Sequence, residues 1–249
     1  MMEPSFLALK NSHPRDEQIT FYAPTHKYTA AGISTYTSVT TWVHEHFPKF
    51  NADKIIDKMM ASARWARSKY FGKSKEQIKA LWNKNGDQAS AAGTKLHDDI
   101  EWFWNQSPRE NDSIEYQYFM NFYHQHPNLV PYRTEWRVWH EEWGFAGAID
   151  FVSINPDGSL TIWDWKRCKE IKKSNMFESA TTDCISHFPN SNFWLYSLQL
   201  NTYKAILEDK YGKQIKDMYL VCLHPNHKDY QCFKVPHLQE EMQELLAMR

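Results

Sequence analysis

Residues Trp143 to Lys173 constrain this chain more than any other stretch, because they read as two strands and the turn that joins them. Two β-prone runs, Phe145 to Ile154 and Ser159 to Lys166, flank Asn155-Pro156-Asp157-Gly158, a cluster of strong turn formers. Folding one run back on the other predicts a hairpin that brings Asp150 near Asp164, with the register still open. Side chains alternate along a strand, so Asp164 and Lys166 share one face while Trp163 and Trp165 share the other. Two carboxylates and one amine converging at a point suit a divalent cation held beside a phosphate. An Asp-x-Lys tripeptide on a strand is by itself more often a solvated face, so the reading depends on the rest of the chain.

At 249 residues, with 42% apolar and 24% charged, the chain is long enough for a sizeable core. The expectation is a single domain over residues 1–249, mainly helical over 1–130 and sheet-containing over 131–249. A formal net charge of −1 supplies no global positive field, so binding to a polyanion must rest on local patches. Lys54 to Lys84 and Lys166 to Lys173 are two such patches, though charge runs are usually exposed helix faces. The 11 Trp and 13 Tyr are mostly core, with rings that could also stack bases. Cys168, Cys184, Cys222 and Cys232 form no C-x-x-C pair and no zinc-finger spacing, which predicts free thiols in a reducing compartment. No apolar run approaches transmembrane length. Glu3, Asp16 and Glu17 leave the N-terminus without a basic-then-apolar order, so a soluble, intracellular protein with no signal or transit peptide is expected.

In chain order, Ile19 to Thr29 reads as a small hairpin around Ala23-Pro24-Thr25. Ser38 caps a short helix through His46, and Asn51 or Asp53 caps a longer one with the stripe Ile55, Ile56, Met59, Met60 and Ala63. Ser74 and Gln77 resemble a capping box for a third helix through Trp82. A fourth helix runs from Asp87 to Asn105, burying Ala92, Leu96, Ile100 and Phe103, with Gly93 marking either close approach of another backbone or, equally well, a tolerated accident. Asp112 begins a fifth, which ends before Pro127. Tyr132 to Glu141 alternates as a strand ahead of the hairpin. Lys169 to Asn192 is a long loop with some helix beside the proposed site, where substrate contacts concentrate. Phe193 to Tyr211 is a helix closed by Gly212; strands at Lys216 to Leu223 and Tyr230 to Val235 precede a terminal helix, Leu238 to Met248. Helices followed by a sheet with one embedded helix predict an α/β or α+β fold.

Four short motifs then stand in order: Gly93-Thr94-Lys95-Leu96-His97, Gly147-Ala148-Ile149-Asp150, Asp164-Trp165-Lys166 and Gln199-Leu200-Asn201-Thr202-Tyr203. Together they resemble the PD-(D/E)XK nuclease superfamily in its RecB-like and lambda-exonuclease-like branch. Residues 78–105 are also similar to exonuclease-like proteins of large DNA viruses, and mitochondrial genome-maintenance exonucleases share the broader pattern. The resemblance spans roughly Tyr28 to Leu207. It implies a restriction-endonuclease-like core, a mixed sheet flanked by helices, that hydrolyses DNA phosphodiester bonds in viral or organellar replication, recombination or repair.

Carried over residue by residue, the resemblance implies that Asp150, Asp164 and the carbonyl of Trp165 ligate Mg²⁺ or Mn²⁺, with His97 as a further ligand. Asp150, Asp164 and Lys166 would be the catalytic set, Lys166 orienting or deprotonating water. Gln199, Tyr203, Glu135, Thr94 and Arg167 would contact substrate or position the site. Asp164 stands where many members carry Glu, and its shorter arm could alter metal spacing. Beside the cation the neutral form of Lys166 would be favoured, and whether it acts as base or as electrostatic clamp is open. Histidine ligation tilts the preference toward Mn²⁺. The cysteine spacing does not match that of cluster-bearing relatives, so no iron–sulfur cluster is expected. DNA ends, single- or double-stranded, are the expected partner, with no membrane; a homo-oligomer or a replication or recombination partner protein is open. An endonuclease acting on DNA or RNA and a non-cutting nucleic-acid-binding subunit are the alternatives. A narrower expectation is that the basic helix Asp53 to Tyr70, with Lys54, Lys58 and Arg64 beside Trp65, Tyr70 and Phe71, forms part of a strand-tracking wall, core packing being at least as good a reading of Trp65. Lys166→Ala is expected to leave stability nearly unchanged.

Overall fold

The computed structural model describes residues 5–249. They fall into two units, one running to Pro48 and resuming from Leu96 to Arg249, the other Lys49–Lys95. In chain order the elements are α1 (Phe6–Lys10), β1 (Ile19–Tyr22), β2 (Lys27–Ala30), β3 (Thr37–Ser38), α2 (Val39–Glu45), α3 (Ala52–Met60), α4 (Lys75–Trp104) and α5 (Ile114–Gln125). The hairpin region and C-terminal part follow as β4 (Val130–His140), β5 (Phe145–Ile154), β6 (Leu160–Lys166), α6 (Asn192–Lys210), β7 (Ile215–Cys222), β8 (Gln231–Lys234) and α7 (Gln239–Ala247). The fold is mixed α+β.

The turn chemistry closes the hairpin as expected. The Gly158 amide donates to the Asn155 carbonyl at 2.9 Å, and Gly158 has φ 83°, a conformation glycine takes without a Cβ penalty. The ladder between β5 and β6 runs from Ile154↔Leu160 to Phe151↔Trp163, antiparallel. β6 then pairs in parallel with β7, and β7 antiparallel with β8. On the other edge β4 follows β5 from Val130↔Ile154 to His140↔Phe145, while β3 pairs in parallel with only Phe145 and Ala146. One edge of β5 is thus shared: β3 takes its start, β6 takes its end, and Gly147 to Asp150 lies in the fork between them.

Two apolar clusters cover the faces of this sheet. Trp163 and Trp165 pack with Phe151, Leu96, Ile100, Trp104, Phe119 and Phe122, which places the C-terminal end of α4 and α5 on one face. Leu160 and Ile162, of the opposite parity, pack with Leu198, Tyr203, Ile206 and Leu207 of α6. Sinking two tryptophans on the α5 side therefore turns Asp164 and Lys166 toward the α6 side. The caps match the sequence signals: Ser38 Oγ accepts from the Thr41 amide at 3.1 Å, and Gly212 follows α6 at φ 60°.

Within Lys49–Lys95, Asn51 Oδ1 accepts from the Lys54 amide at 2.9 Å. The capping box forms reciprocally, Ser74 N–H to Gln77 Oε1 at 2.8 Å and Gln77 N–H to Ser74 Oγ at 3.3 Å. Ile56 and Ile78 are buried, but Ile55 is 41% exposed, and Ala63 is exposed as well; only part of the predicted α3 stripe is core. Lys54, Lys58 and Arg64 are exposed, Trp65 is half-buried, and Phe71 is exposed. Trp82 Nε1 donates to the Tyr70 hydroxyl at 2.9 Å.

Two expectations change. The third and fourth predicted helices are one, Lys75–Trp104. Residues 83–86, between the two expected helices, include Asn85 and Gly86, but their propensity cost, up to about 1 kcal/mol each, does not outweigh a continuous run of backbone hydrogen bonds with no proline to interrupt it. A Cβ at Gly93 would meet nothing within 4 Å, so among the described residues no backbone is pressed against it. The close approach is at Gly147.

Candidate active site

At the fork, Asp150 replaces a missing rung of the ladder. Its Oδ2 accepts from the Trp165 amide at 2.8 Å, so the two strands part while a carboxylate still satisfies the backbone donor. The Trp165 carbonyl is engaged too, 2.9 Å from His97 Nε2. The other ring nitrogen, Nδ1, lies 3.6 Å from Asp150 Oδ2 and 3.8 Å from Glu135 Oε1. One donor atom each from His97, Glu135 and Asp150 falls within 4.8 Å of the others. Glu135, opposite Asp150 across the ladder, has φ 40°. A non-glycine residue there is strained, which is tolerated where surrounding structure enforces it.

Lys166 completes the group from the same strand. Its Nζ is 2.7 Å from Asp164 Oδ2 and 4.4 Å from the centre of the Tyr196 ring. Asp164 Oδ2 is buried, and the Lys166 ammonium is the counter-charge beside it. Lys166→Ala would therefore strip a buried carboxylate of its counter-charge, and the expectation of nearly unchanged stability does not hold.

The electrostatics are those of crowded buried charge. Burial raises the Asp150 carboxyl, and Glu135 adds to the effect against the opposing pull of His97 and Lys166. Burial likewise pushes Asp164 up to about 6, resisted by Lys166. Burial pulls His97 down, but the carboxylates of Asp150 and Glu135 outweigh it and hold the imidazole at about 9. For Lys166 burial also works against the charge, yet Asp164 and Asp150 overcome it and raise the ammonium. A hard divalent cation fits this donor set: oxygen ligands predominate, and the carboxylates of Glu135, Asp150 and Asp164 crowd the fork.

Helix α6 supplies the opposite wall. A Cβ on Gly147 would lie 2.7 Å from the Tyr203 hydroxyl, so glycine is required for the helix to approach β5. Gln199 Nε2 is 3.5 Å from both the Tyr203 hydroxyl and Thr40 Oγ1. Burial raises the Tyr203 phenol well above its ordinary value, so it stays neutral.

Of the residues singled out from sequence, His97, Glu135, Asp150, Asp164, Trp165 and Lys166 meet at the fork, and Gln199 and Tyr203 stand against it. Glu135, the least certain of them in sequence, is one of the three whose donor atoms cluster; Asp164 instead faces Lys166. Arg167 is turned to α5, its Nε donating to Glu115 Oε1 at 2.6 Å. Thr94 is exposed in the Lys49–Lys95 unit. Sequence reasoning missed Tyr196, although its place three residues before Gln199 on α6 puts both on one face.

No family model and no curated protein matches this chain. A crystal structure named "Putative exonuclease" from Eubacterium rectale is similar at a TM-score of 0.34 and 9% identity, over 86% of this chain and 77% of that one. A likeness that distant carries no argument about activity, which has to come from the site itself. No described helix is long and apolar enough to cross a membrane.

Proposed function

We propose that this chain is a metal-dependent nuclease of the PD-(D/E)XK type that hydrolyses DNA phosphodiester bonds from an end, in viral or organellar replication, recombination or repair. The observation that carries the reading is the fork in the sheet, where His97, Glu135 and Asp150 gather donor atoms within 4.8 Å beside the Asp164–Lys166 pair. A binding module has no use for several carboxylates next to phosphates.

His97, Glu135 and Asp150, with Asp164 adjoining, would hold Mg²⁺ or Mn²⁺. Such a cation lowers the pKa of bound water and offsets phosphate charge. The chain's own residues do the rest. The Trp165 carbonyl fixes the His97 ring, an orienting contact of the kind that tunes metal ligands. Lys166, kept charged by Asp164, acts as a cationic clamp for charge developing on the phosphate rather than as a base. Tyr203, braced by Gln199, sets how closely α6 approaches the fork at Gly147.

The deciding experiment compares linear end-labelled DNA, circular DNA and RNA with Mg²⁺ or Mn²⁺, using the parent, Asp150→Ala and Lys166→Ala. Loss of linear-DNA digestion in both variants, with circles left intact, is expected. Equal digestion by all three proteins sinks the assignment. Cutting of circles or RNA would move it to an endonuclease, and metal-independent binding without cutting would move it to a non-cutting subunit.

A further inference from the structure

The loop between β6 and α6 carries a feature that the cleavage site does not use. Met176 and Phe177 are each 93% exposed, yet they do not trail freely. Asn175 Oδ1 accepts from the amides of Phe177 at 2.9 Å and Glu178 at 3.2 Å, and Asn175 Nδ2 donates to the Asn190 carbonyl at 2.8 Å. The Asn190 amide donates in turn to the Glu178 carbonyl at 2.9 Å. At the base, the Lys172 amide donates to Asn192 Oδ1 and Asn192 Nδ2 donates to the Glu170 carbonyl, both at 2.7 Å. A pinned turn thus presents two adjacent large apolar side chains to water. Isolated exposed apolar residues need no explanation; a held pair on the rim of a groove does.

That groove, about 440 Å³, is lined by Lys172, Asn175, Met176, Phe177, Asn190 and Asn192, among others. The side chains of Asn175 and Asn192 are committed to holding the loop, so the groove offers stacking surface and a cation more than a pattern of base-edge contacts. Lys172 is 3.7 Å from Glu170, with both side chains 65% exposed, a solvated pair worth little and open to displacement by a phosphate. Asn192 is the first residue of α6, and Tyr196, whose ring faces Lys166, follows one turn later, about 6 Å along the axis. The first turn of α6 therefore links the groove to the proposed cleavage site.

Resting on the nuclease reading above, we infer that this groove is a sequence-tolerant subsite for single-stranded nucleic acid, with a base stacked on Phe177 and Met176 and its phosphate on Lys172. Aromatic stacking plus a cation, without base-edge readout, is the chemistry by which proteins hold single strands of any sequence.

The test is fluorescence anisotropy of labelled single-stranded DNA and RNA oligonucleotides with the full chain in EDTA, so that binding is read without cutting. Phe177→Ala combined with Met176→Ala is expected to weaken binding about ten-fold or more, and Phe177→Trp to retain it. Both tip residues are exposed, so a retained melting temperature is expected and is checked alongside. A double variant that binds both strands like the parent overturns the subsite, as does a loss that Phe177→Trp shares fully. Whether DNA or RNA is the more affected identifies the preferred strand. Hydrolysis of thymidine 5′-(p-nitrophenyl phosphate) with Mn²⁺, a substrate too short to reach the groove, separates the two readings. Hydrolysis by the parent together with unchanged strand binding by the double variant removes the subsite alone. No hydrolysis of this ester or of DNA by the parent, together with weakened binding by the double variant, removes the nuclease and keeps the subsite.

Discussion

His97 Nε2 lies 2.9 Å from the carbonyl oxygen of Trp165, and this one contact fixes what the rest of the ring can do. A carbonyl only accepts, so Nε2 carries a proton. Nδ1, facing Asp150 and Glu135, is left as the atom that can ligate a cation.

It follows that cation binding competes with a proton on Nδ1. Burial depresses the His97 pKa, but the carboxylates of Asp150 and Glu135 prevail and raise it to about 9. The charge on His97 therefore stabilises the metal-free fold fully below its unfolded value, and that contribution is lost as pH rises through about 9. Mn²⁺ titrated calorimetrically at pH 7.5, in buffers of different ionisation enthalpy, should release about one proton from this site, and its affinity should rise with pH up to that value. Binding without proton release would show that His97 is not a ligand.

Asp150→Asn should stabilise the metal-free protein while abolishing its response to metal. Burial, then the neighbouring Glu135, raises the Asp150 carboxyl despite His97 and Lys166. The folded state thus holds that proton more tightly than the unfolded chain, and stability declines as pH climbs above the ordinary carboxylate range. Asparagine removes the penalty and keeps an oxygen for the Trp165 amide. In urea titrations at pH 7.5 without metal the variant should match or exceed the parent. Mn²⁺ at a hundred times its Kd should add about 2.7 kcal/mol to the parent alone. A variant that still gains this increment would place the cation elsewhere.

The hairpin was legible because Asn155 to Gly158 is local turn chemistry and because Trp163 and Trp165 alternate with Asp164 and Lys166, a pattern that needs one buried face. The fork was not. It depends on β3 and β6 sharing one edge of β5, a long-range pairing that leaves no local trace. Hence Glu135, whose φ of 40° is imposed by its neighbours, stood out weakly in sequence although it joins His97 and Asp150. The same reasoning explains Gly93 and Gly147. Both sit in glycine-led motifs, but which one is pressed by a neighbour depends on where α6 docks, and that is fixed only in the folded chain.

Gly147→Ala tests that docking. The new Cβ would lie 2.7 Å from the Tyr203 hydroxyl and 2.8 Å from its Cε1, within a buried helix–strand contact, so overpacking of about 1–3 kcal/mol is expected. Combining it with Tyr203→Phe should recover only part, because the ring edge stays. Urea midpoints of the single and double variants measure this. Full recovery would mean that the hydroxyl alone sets the spacing.

Arg167 was expected to meet substrate, yet it points at Glu115 at 2.6 Å. If its role is to tie β6 to α5, Arg167→Ala should cost about 1–3 kcal/mol and leave kcat per folded molecule close to that of the parent. A substrate contact would show the reverse, an unshifted melting temperature with a raised KM.

Lys166→Ala should separate catalysis from stability through pH. Burial raises Asp164 to about 6 while Lys166 opposes the rise, so the parent's penalty builds as pH climbs from the ordinary carboxylate value to about 6 and is complete above it. Removing the ammonium, 2.7 Å away, raises Asp164 further and widens the window in which a buried charge has no partner. The variant should therefore fall below the parent by about 3–5 kcal/mol at pH 8, and the gap should close toward pH 5 as both proteins carry a neutral Asp164. Asp164→Asn combined with Lys166→Met removes both charges and should recover most of the loss at pH 8. Melting curves from pH 5 to pH 8 for the three proteins decide it. A gap that does not change with pH would mean that Lys166 stabilises the fold through packing against Tyr196, and that its charge is not what holds Asp164 in place.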